Sequence, residues 1–313
     1  MKEKLQIIKK IYISGSGNIF TVFDNRIINE TKEFFSENAE ILTTVNPTVN
    51  NTVNNSVNNI SNKIIQTEGI VVLNNSNNFD FEVWFFNPDG SSGMMCGNGG
   101  RVAIYFAIKN GFIENYKDDE TVSFEMNNTV YLGKKNADLY SIFFPPAVIF
   151  PKEIEIIIEN NFGKNENVKG YFANVGTEHF AIEKENINEI DVDEMGKKIR
   201  NNSCFLPQGT NVNFFEKSKE MNTIFLRTYE KGVENETGAC GTGAISTALV
   251  YFKKYGYSGK LKIIPTSKSL LFVDLIFKNN FNSNENGQND LYSRIDKIIL
   301  SGSVEELEWF KLL

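Results

Sequence analysis

The stretch "MMCGNGGRVAIYFAIKNG", Met94 to Gly111, decides how this chain is read. A cysteine stands directly before a glycine-rich turn. The turn runs into an apolar stretch that ends in lysine and a glycine stop. Terminal glycine is a helix C-terminus signal, so the pattern predicts a helix with Cys96 at its entrance. The first turn of a helix has backbone N–H groups with no internal partner, and its dipole makes that end positive. Glycines let a ligand come close to that backbone. A carboxylate would bind there, and the same field favours thiolate over thiol. One such unit is an anion site with a base or nucleophile beside it.

The pattern occurs twice. "ACGTGAISTALVYFKKYG", Ala239 to Gly256, again reads Cys-Gly-x-Gly-small, apolar helix, lysine, glycine. The copies lie almost half a chain apart, which suggests two similar domains, each contributing one cysteine. Facing each other, two such units would hold one carboxylate between two thiols. Inverting a stereocentre needs that arrangement: a proton leaves one face while another arrives on the opposite face. A thiol pKa near working pH serves both roles. The competing readings are weaker. A lone cysteine at a helix start is usually a small buried residue, but two matched copies argue against that. Cys96, Cys204, Cys240 and His179 could form a Cys3His zinc site, but no C-x2-C spacing exists and no metal is expected. Neither glycine turn is followed by the Lys-Ser/Thr of a phosphate loop.

Composition narrows the classes further. The chain has 313 residues, a hydrophobic fraction of 41% and a net charge of −7. It has no basic stripe with interleaved aromatics, so nucleic acid is not an expected partner. No run of about 18 apolar residues predicts a membrane span, and no continuous apolar region near the start predicts a signal peptide. Three cysteines do not make a disulfide framework, which favours a reducing, cytoplasmic compartment. The single histidine, His179, limits the acid–base chemistry available. The asparagine-rich tract at 45–63 reads as a loose surface insertion. "FDFEVWFF", 79–86, alternates as a strand does, "NPDG", 87–90, is a turn, and "TIFLRTYE", 223–230, is a second strand. Both cysteine helices are apolar nearly all round and so belong inside their domains.

These residues resemble the diaminopimelate epimerase family, whose members use two cysteines and neither pyridoxal phosphate nor a metal. The resemblance is carried by "GSGNIF" (15–20), "FNPDGSSGMMCGNGG" (86–100), "GTEHF" (176–180), "LPQGTNVNF" (206–214) and "RTYEKGVENETGACGTG" (227–243). It implies an α/β (α+β) fold of two pseudo-symmetric domains, each a β-sheet wrapped around a central helix. The domains expected are 1–132 and 133–300, with 301–313 returning to the first. The resemblance makes Cys96 and Cys240 the acid–base thiols, and His179 and Glu230 the polar groups that support them. Gly97, Asn98, Gly241 and Thr242 would hold the reacting α-carboxylate. Asn18, Asn87, Thr177, Asn211, Glu230 and Lys231 would make the other substrate contacts. Cys204 has no counterpart role and reads as core. The resemblance further implies a small amino-acid substrate, no cofactor and a homodimer.

The chain departs from the family pattern at several places: "TEGIVV" (67–72) stands where a glutamine-like contact is usual, Ile19 where aspartate is common, and two further changes concern the distal end of the substrate. Gly176-Thr177-Glu178-His179 stands where Gly-Asn-Pro-His is usual, and Glu230-Lys231-Gly232 where Glu-Arg-Gly is usual. Both fall at positions linked to the distal end of the substrate. Lysine keeps the charge but lacks the planar two-donor fork of arginine. The expected activity is therefore interconversion of LL- and meso-diaminopimelate. The alternatives are the same reaction on another amino acid, lanthionine for example, or a non-catalytic binding protein of this fold.

Overall fold

The computed structural model describes residues 8–45, 65–92, 96–146, 149–159, 163–256, 259–278 and 294–308. The asparagine-rich tract beyond Val45 lies outside the described residues, as do Met94 and Met95. The chain divides into two compact units, one of residues 1–140 with 303–313 and the other of residues 141–302.

In the first unit, β1 (Ile11–Gly15) and β2 (Asn18–Asp24) form a hairpin. Three short helices follow: α1 (Asn25–Ile28), α2 (Lys32–Glu37) and α3 (Ala39–Thr43). A two-residue pairing of β3 (Thr44–Val45) with β4 (Ile65–Gln66) leads to β5 (Gly69–Asn74) and β6 (Phe81–Phe86). The cysteine helix α4 (Gly97–Lys109) comes next, then β7 (Val122–Met126) and β8 (Thr129–Asn136). The strand order is β1-β2-β5-β6-β7-β8. Two of the pairings, β2–β5 and β6–β7, are parallel, and each is bridged by helix, as a parallel crossover requires.

β9 (Leu139–Phe144) carries the chain into the second unit. There β10 (Ile149–Glu159), β11 (Asn165–Asn174) and β12 (Glu178–Glu183) precede α5 (Val192–Arg200). β13 (Asn211–Lys217), β14 (Thr223–Glu230) and β15 (Asn235–Thr237) lead to the second cysteine helix, α6 (Gly241–Tyr255). β16 (Lys260–Pro265), β17 (Leu271–Phe277) and β18 (Ile295–Leu307) complete the chain. The order runs β18-β17-β16-β14-β13-β12-β11-β10. The parallel pairs β12–β13 and β14–β16 are again bridged by helices, α5 and α6. The far end of β18, from Val304 to Leu307, belongs to the first unit and pairs there with β1.

Both units thus repeat one theme: strand, loop, buried cysteine helix, parallel strand. α4 is buried from Gly97 to Ala107 except at Tyr105, and packs against β1, β2, β5, β6 and β8. α6 is buried from Gly241 through Phe252, against β10, β11, β12, β13 and β17. A helix apolar on every face has no solvent side to offer, so the strands wrap it. Stacked rings of Phe81 and Phe124, with centroids 5.0 Å apart, close the parallel β6–β7 pair. In the second unit Gly196 of α5 lies so close to Tyr229 that an added Cβ would fall 2.4 Å from the tyrosine's own Cβ.

The strand predicted at 79–86 begins two residues later, at Phe81. The carboxylate of Asp80 accepts from the Ser123 backbone N–H at 2.6 Å and so takes a donor that a longer ladder would use. The strand predicted at 223–230 has those limits. No helix among the described residues is long and apolar enough to cross a membrane.

Candidate active site

Cys96 and Cys240 occupy the same local geometry. Each is the N-cap of its helix in extended backbone, at φ −110°, ψ 101° for Cys96 and φ −109°, ψ 114° for Cys240. Each thiol folds back on the third residue of its helix. Sγ of Cys96 accepts from the Gly99 N–H at 3.3 Å, and Sγ of Cys240 from the Gly243 N–H at 3.4 Å. This explains the second glycine of each motif, because a Cβ on Gly99 or Gly243 would stand 3.3 Å from the sulfur. At Gly243 it would also meet Oδ1 of Asn213 at 2.8 Å. Gly100 and Ala244 donate to the cysteine carbonyls at 2.8 and 2.9 Å, the first regular helical bonds. The N–H groups of Gly97, Asn98, Gly241 and Thr242 precede the first intrahelical acceptor, as the first donors of any helix do.

In the first unit the hairpin places Gly15 against this helix end, where a Cβ would fall 2.9 Å from the Asn98 carbonyl oxygen. Asn18 pairs with Gly15 across the hairpin and is buried. Asn98 is buried too, and its Oδ1 accepts from Nη2 of Arg101 at 2.7 Å. Asn87 is engaged within its own turn, its amide donating to Ser91 Oγ at 2.9 Å.

In the second unit a polar chain runs from the sheet to the sulfur. His179 on β12 is fully buried. Its Nδ1 lies 3.2 Å from the Asn213 amide nitrogen, and Thr228 Oγ1 donates to Asn213 Oδ1 at 3.1 Å. Strand register sets this up: Asn213 stands opposite Thr228 on the neighbouring strand. With Nδ1 accepting from the amide, the ring proton sits on Nε2. Nε2 faces Thr177 Oγ1 at 2.9 Å and Thr242 Oγ1 at 3.0 Å. Thr242 in turn lies 3.6 Å from Cys240 Sγ. Burial pushes His179 down to about 3, outweighing the Asn213 hydrogen bond and the Glu178 charge that act the other way. The ring is therefore neutral across the physiological range and relays hydrogen bonds, not charge.

The remaining residues frame this chain. Asn211 uses both ends of its amide on backbone, donating to the Glu178 carbonyl and accepting from the Lys231 N–H, each at 2.8 Å. It thereby fixes the start of β12 to the residue that follows β14. Lys231 Nζ pairs with Glu178 at 2.9 Å. Burial raises the Glu178 carboxyl, but the Lys231 hydrogen bond and charge outweigh it and hold the group below its ordinary value. Glu230 accepts from Thr237 Oγ1 at 2.9 Å, next to the loop that leads to Cys240.

A family model described as diaminopimelate epimerase matches residues 171–273. The diaminopimelate epimerase of Aquifex aeolicus is 33% identical over 84% of this chain and 88% of its own length. The chain belongs to the diaminopimelate epimerase family. The enzyme of that name from Methanocella arvoryzae is also 33% identical, over 86% of this chain and 90% of its own. The fold is shared more widely. A phenazine biosynthesis PhzF-family structure from Enterococcus faecalis superposes with a TM-score of 0.64 at 14% identity, covering 96% of this chain and 98% of its own. A hydroxyproline epimerase from Agrobacterium vitis does so with a TM-score of 0.60 at 10% identity, covering 96% and 90%.

Against the diaminopimelate epimerase pattern, one expectation is corrected. Cys204, read as core, is exposed. It lies on a short 3-10 turn, Ser203–Phe205, capped by Asn202, and Phe205 takes the buried position. Among the described residues no cluster of His, Cys, Asp or Glu is arranged to hold a metal ion. Three participants escaped the sequence reading. Asn213 and Thr228 look like ordinary strand polars, and only their register reveals them. Arg101 left a visible signal, a single charge in the middle of an otherwise apolar helix. Glu178, which stands where proline is usual, is directed by its pair with Lys231.

Proposed function

We propose that this diaminopimelate epimerase family member interconverts the LL and meso forms of diaminopimelate by two-base proton transfer, with Cys96 and Cys240 as base and acid. The observation that carries the reading is the matched geometry of the two cysteines. Each is a helix N-cap whose sulfur lies beside the backbone donors of its helix end. One thiolate takes the α-proton while the opposite thiol delivers another. The donors of Gly97 and Asn98, and of Gly241 and Thr242, stabilise the charge that develops on the α-carboxylate. The reading requires both thiols to reach the α-carbon of one substrate, in surroundings that exclude water.

Specificity rests on the second unit. The distal end of diaminopimelate carries an ammonium and a carboxylate together. The Lys231–Glu178 pair offers one cation and one anion side by side, complementary to both. Lanthionine has the same termini, and this favours it as the second substrate to test. The product would feed lysine synthesis and cell-wall cross-links in the cytoplasm, without a cofactor and from a homodimer. Incubation with LL-diaminopimelate in deuterium oxide under reducing conditions tests the proposal. Deuterium should appear at the α-carbon, and its absence rejects this substrate. A parallel panel of L-amino acids and lanthionine tests the same chemistry on other side chains.

A further inference from the structure

The hydroxyl of Thr242 stands between a histidine and a sulfur, and the protons around it can be placed one by one. The starting point is Asn213. Its Oδ1 accepts from Thr228 Oγ1 at 3.1 Å, which turns its amide nitrogen to His179 Nδ1 at 3.2 Å. An amide nitrogen only donates, so Nδ1 accepts and the proton of a neutral ring is on Nε2. The ring is fully buried, and burial keeps it neutral. The two charges that reach it, on Glu178 and Lys231, are of opposite sign and pair with each other at 2.9 Å.

Nε2 is then a donor only. It faces two oxygens, Thr177 Oγ1 at 2.9 Å and Thr242 Oγ1 at 3.0 Å. Thr177 Oγ1 in turn donates to Thr242 Oγ1 at 3.2 Å. The Thr242 oxygen thus receives from both neighbours, and neither offers its proton an acceptor. That proton is left with Cys240 Sγ, 3.6 Å away. The same sulfur accepts from the Gly243 N–H at 3.4 Å. Hydrogen bonds donated to the charged form of an acid favour that form. The corresponding position in the first motif is Asn98, which has no hydroxyl to offer and whose Oδ1 is held by Arg101.

We infer that Asn213 is a positioning residue that acts through His179 on Thr242: by holding the ring proton on Nε2 it commits the Thr242 hydroxyl to donate to Cys240, and so favours the thiolate of the second cysteine. The inference deepens the two-base reading, on which its catalytic meaning rests. Cys240 is readied as a base by hydrogen bonds whose direction is fixed two strands away. Thr177, expected among the substrate contacts, takes a place inside this network, where its hydroxyl fills the Thr242 oxygen.

Two measurements on the reduced, full-length chain test this. His179 is the single histidine, so a long-range proton–nitrogen correlation spectrum of histidine-labelled protein reads its ring without assignment. Nε2 should be protonated and Nδ1 bare; a proton on Nδ1 would overturn the inference. N213D, whose carboxylate can only accept, should put a proton on Nδ1. A bare Nδ1 in that variant removes Asn213 from the account. The second measurement is the pH midpoint of Cys240 alkylation by iodoacetamide, with the modified peptide quantified by mass spectrometry. T242V should raise the midpoint by about one pH unit, the order expected for one hydrogen bond to a charged acceptor. T242S, which keeps the hydroxyl, should return it to the wild-type value. An unmoved midpoint in T242V overturns the inference. N213D should also raise it, and T242V added to N213D should raise it no further. Additive shifts would show that the new carboxylate acts on the sulfur by its charge and not through Thr242. If N213D does not fold, the wild-type spectrum and the two Thr242 variants decide. Failure of the epimerase reading is separable, because α-deuterium would then be missing while the spectrum and the midpoints came out as expected.

Discussion

His179 Nε2 lies 3.0 Å from Oγ1 of Thr242, the second residue of the helix that Cys240 caps. The ring, two residues into β12, is thereby joined to the helix end without touching the sulfur itself. The hydrogen-bond direction set at Asn213 passes through the ring to the hydroxyl beside Cys240. A chain of this kind orients a donor at the thiol while adding no charge.

Removal of either thiol separates an enzyme from a binder. C96S and C240S should each lower epimerisation by at least about 100-fold, since general acid–base steps contribute that much or more. Affinity for the substrate should change little. Rates from α-deuterium exchange and affinity from calorimetry give the two numbers.

The neutral state of His179 predicts how stability responds to acid. Its folded value, about 3, lies below the ordinary 6.5. The unfolded chain therefore binds the proton first. The stability tied to the neutral ring is fully present above pH 6.5 and declines as pH falls from there toward 3, by several kcal/mol at most on the order of the linkage relation. Urea unfolding of the wild type and H179Q across this window should show the variant with the shallower pH slope. Parallel slopes would contradict a buried neutral ring.

Asn213 bridges His179 Nδ1 and Thr228 Oγ1, so its loss strands two buried groups. N213A should destabilise by about 1–3 kcal/mol, the usual cost of unsatisfied buried polar atoms. In an N213A/T228V double-mutant cycle the second change should cost less than it does alone, because the hydroxyl has already lost its acceptor. Urea midpoints measure both.

The glycines after the cysteines should not be equally sensitive. At Gly99 an added Cβ meets the Cys96 sulfur at 3.3 Å and Phe85 at 3.5 Å. At Gly243 it meets Asn213 Oδ1 at 2.8 Å, an atom already held by Thr228. G243A should therefore lose about 1–3 kcal/mol more than any effect of G99A, as overpacking does. Thermal melts of the two variants compare them directly.

Lys231 and Glu178 should act on binding more than on chemistry. K231M leaves Glu178 as an unpaired, partly buried carboxylate. Under the proposed distal contact, KM for diaminopimelate should rise about 10-fold or more while kcat changes less, the signature of a lost uniform binding interaction. Steady-state kinetics on both stereoisomers reads the split.

What the sequence alone determined was what repeats locally. Cys-Gly-x-Gly before an apolar run specifies a helix N-terminus, a thiol at its cap and a buried helix behind it, because those features depend on neighbours in the chain. The paired copies, the two-unit fold and the residues of both helix ends were legible for that reason. What only the tertiary structure decided came from strands far apart in sequence. The Asn213–Thr228 bridge, the engagement of Asn211 with two backbones and the Lys231–Glu178 pair all depend on strand register, which no local pattern encodes. Arg101 stood in plain view in the sequence. Its meaning required knowing that the helix is enclosed on every side, because a charge becomes informative only when water is removed from around it.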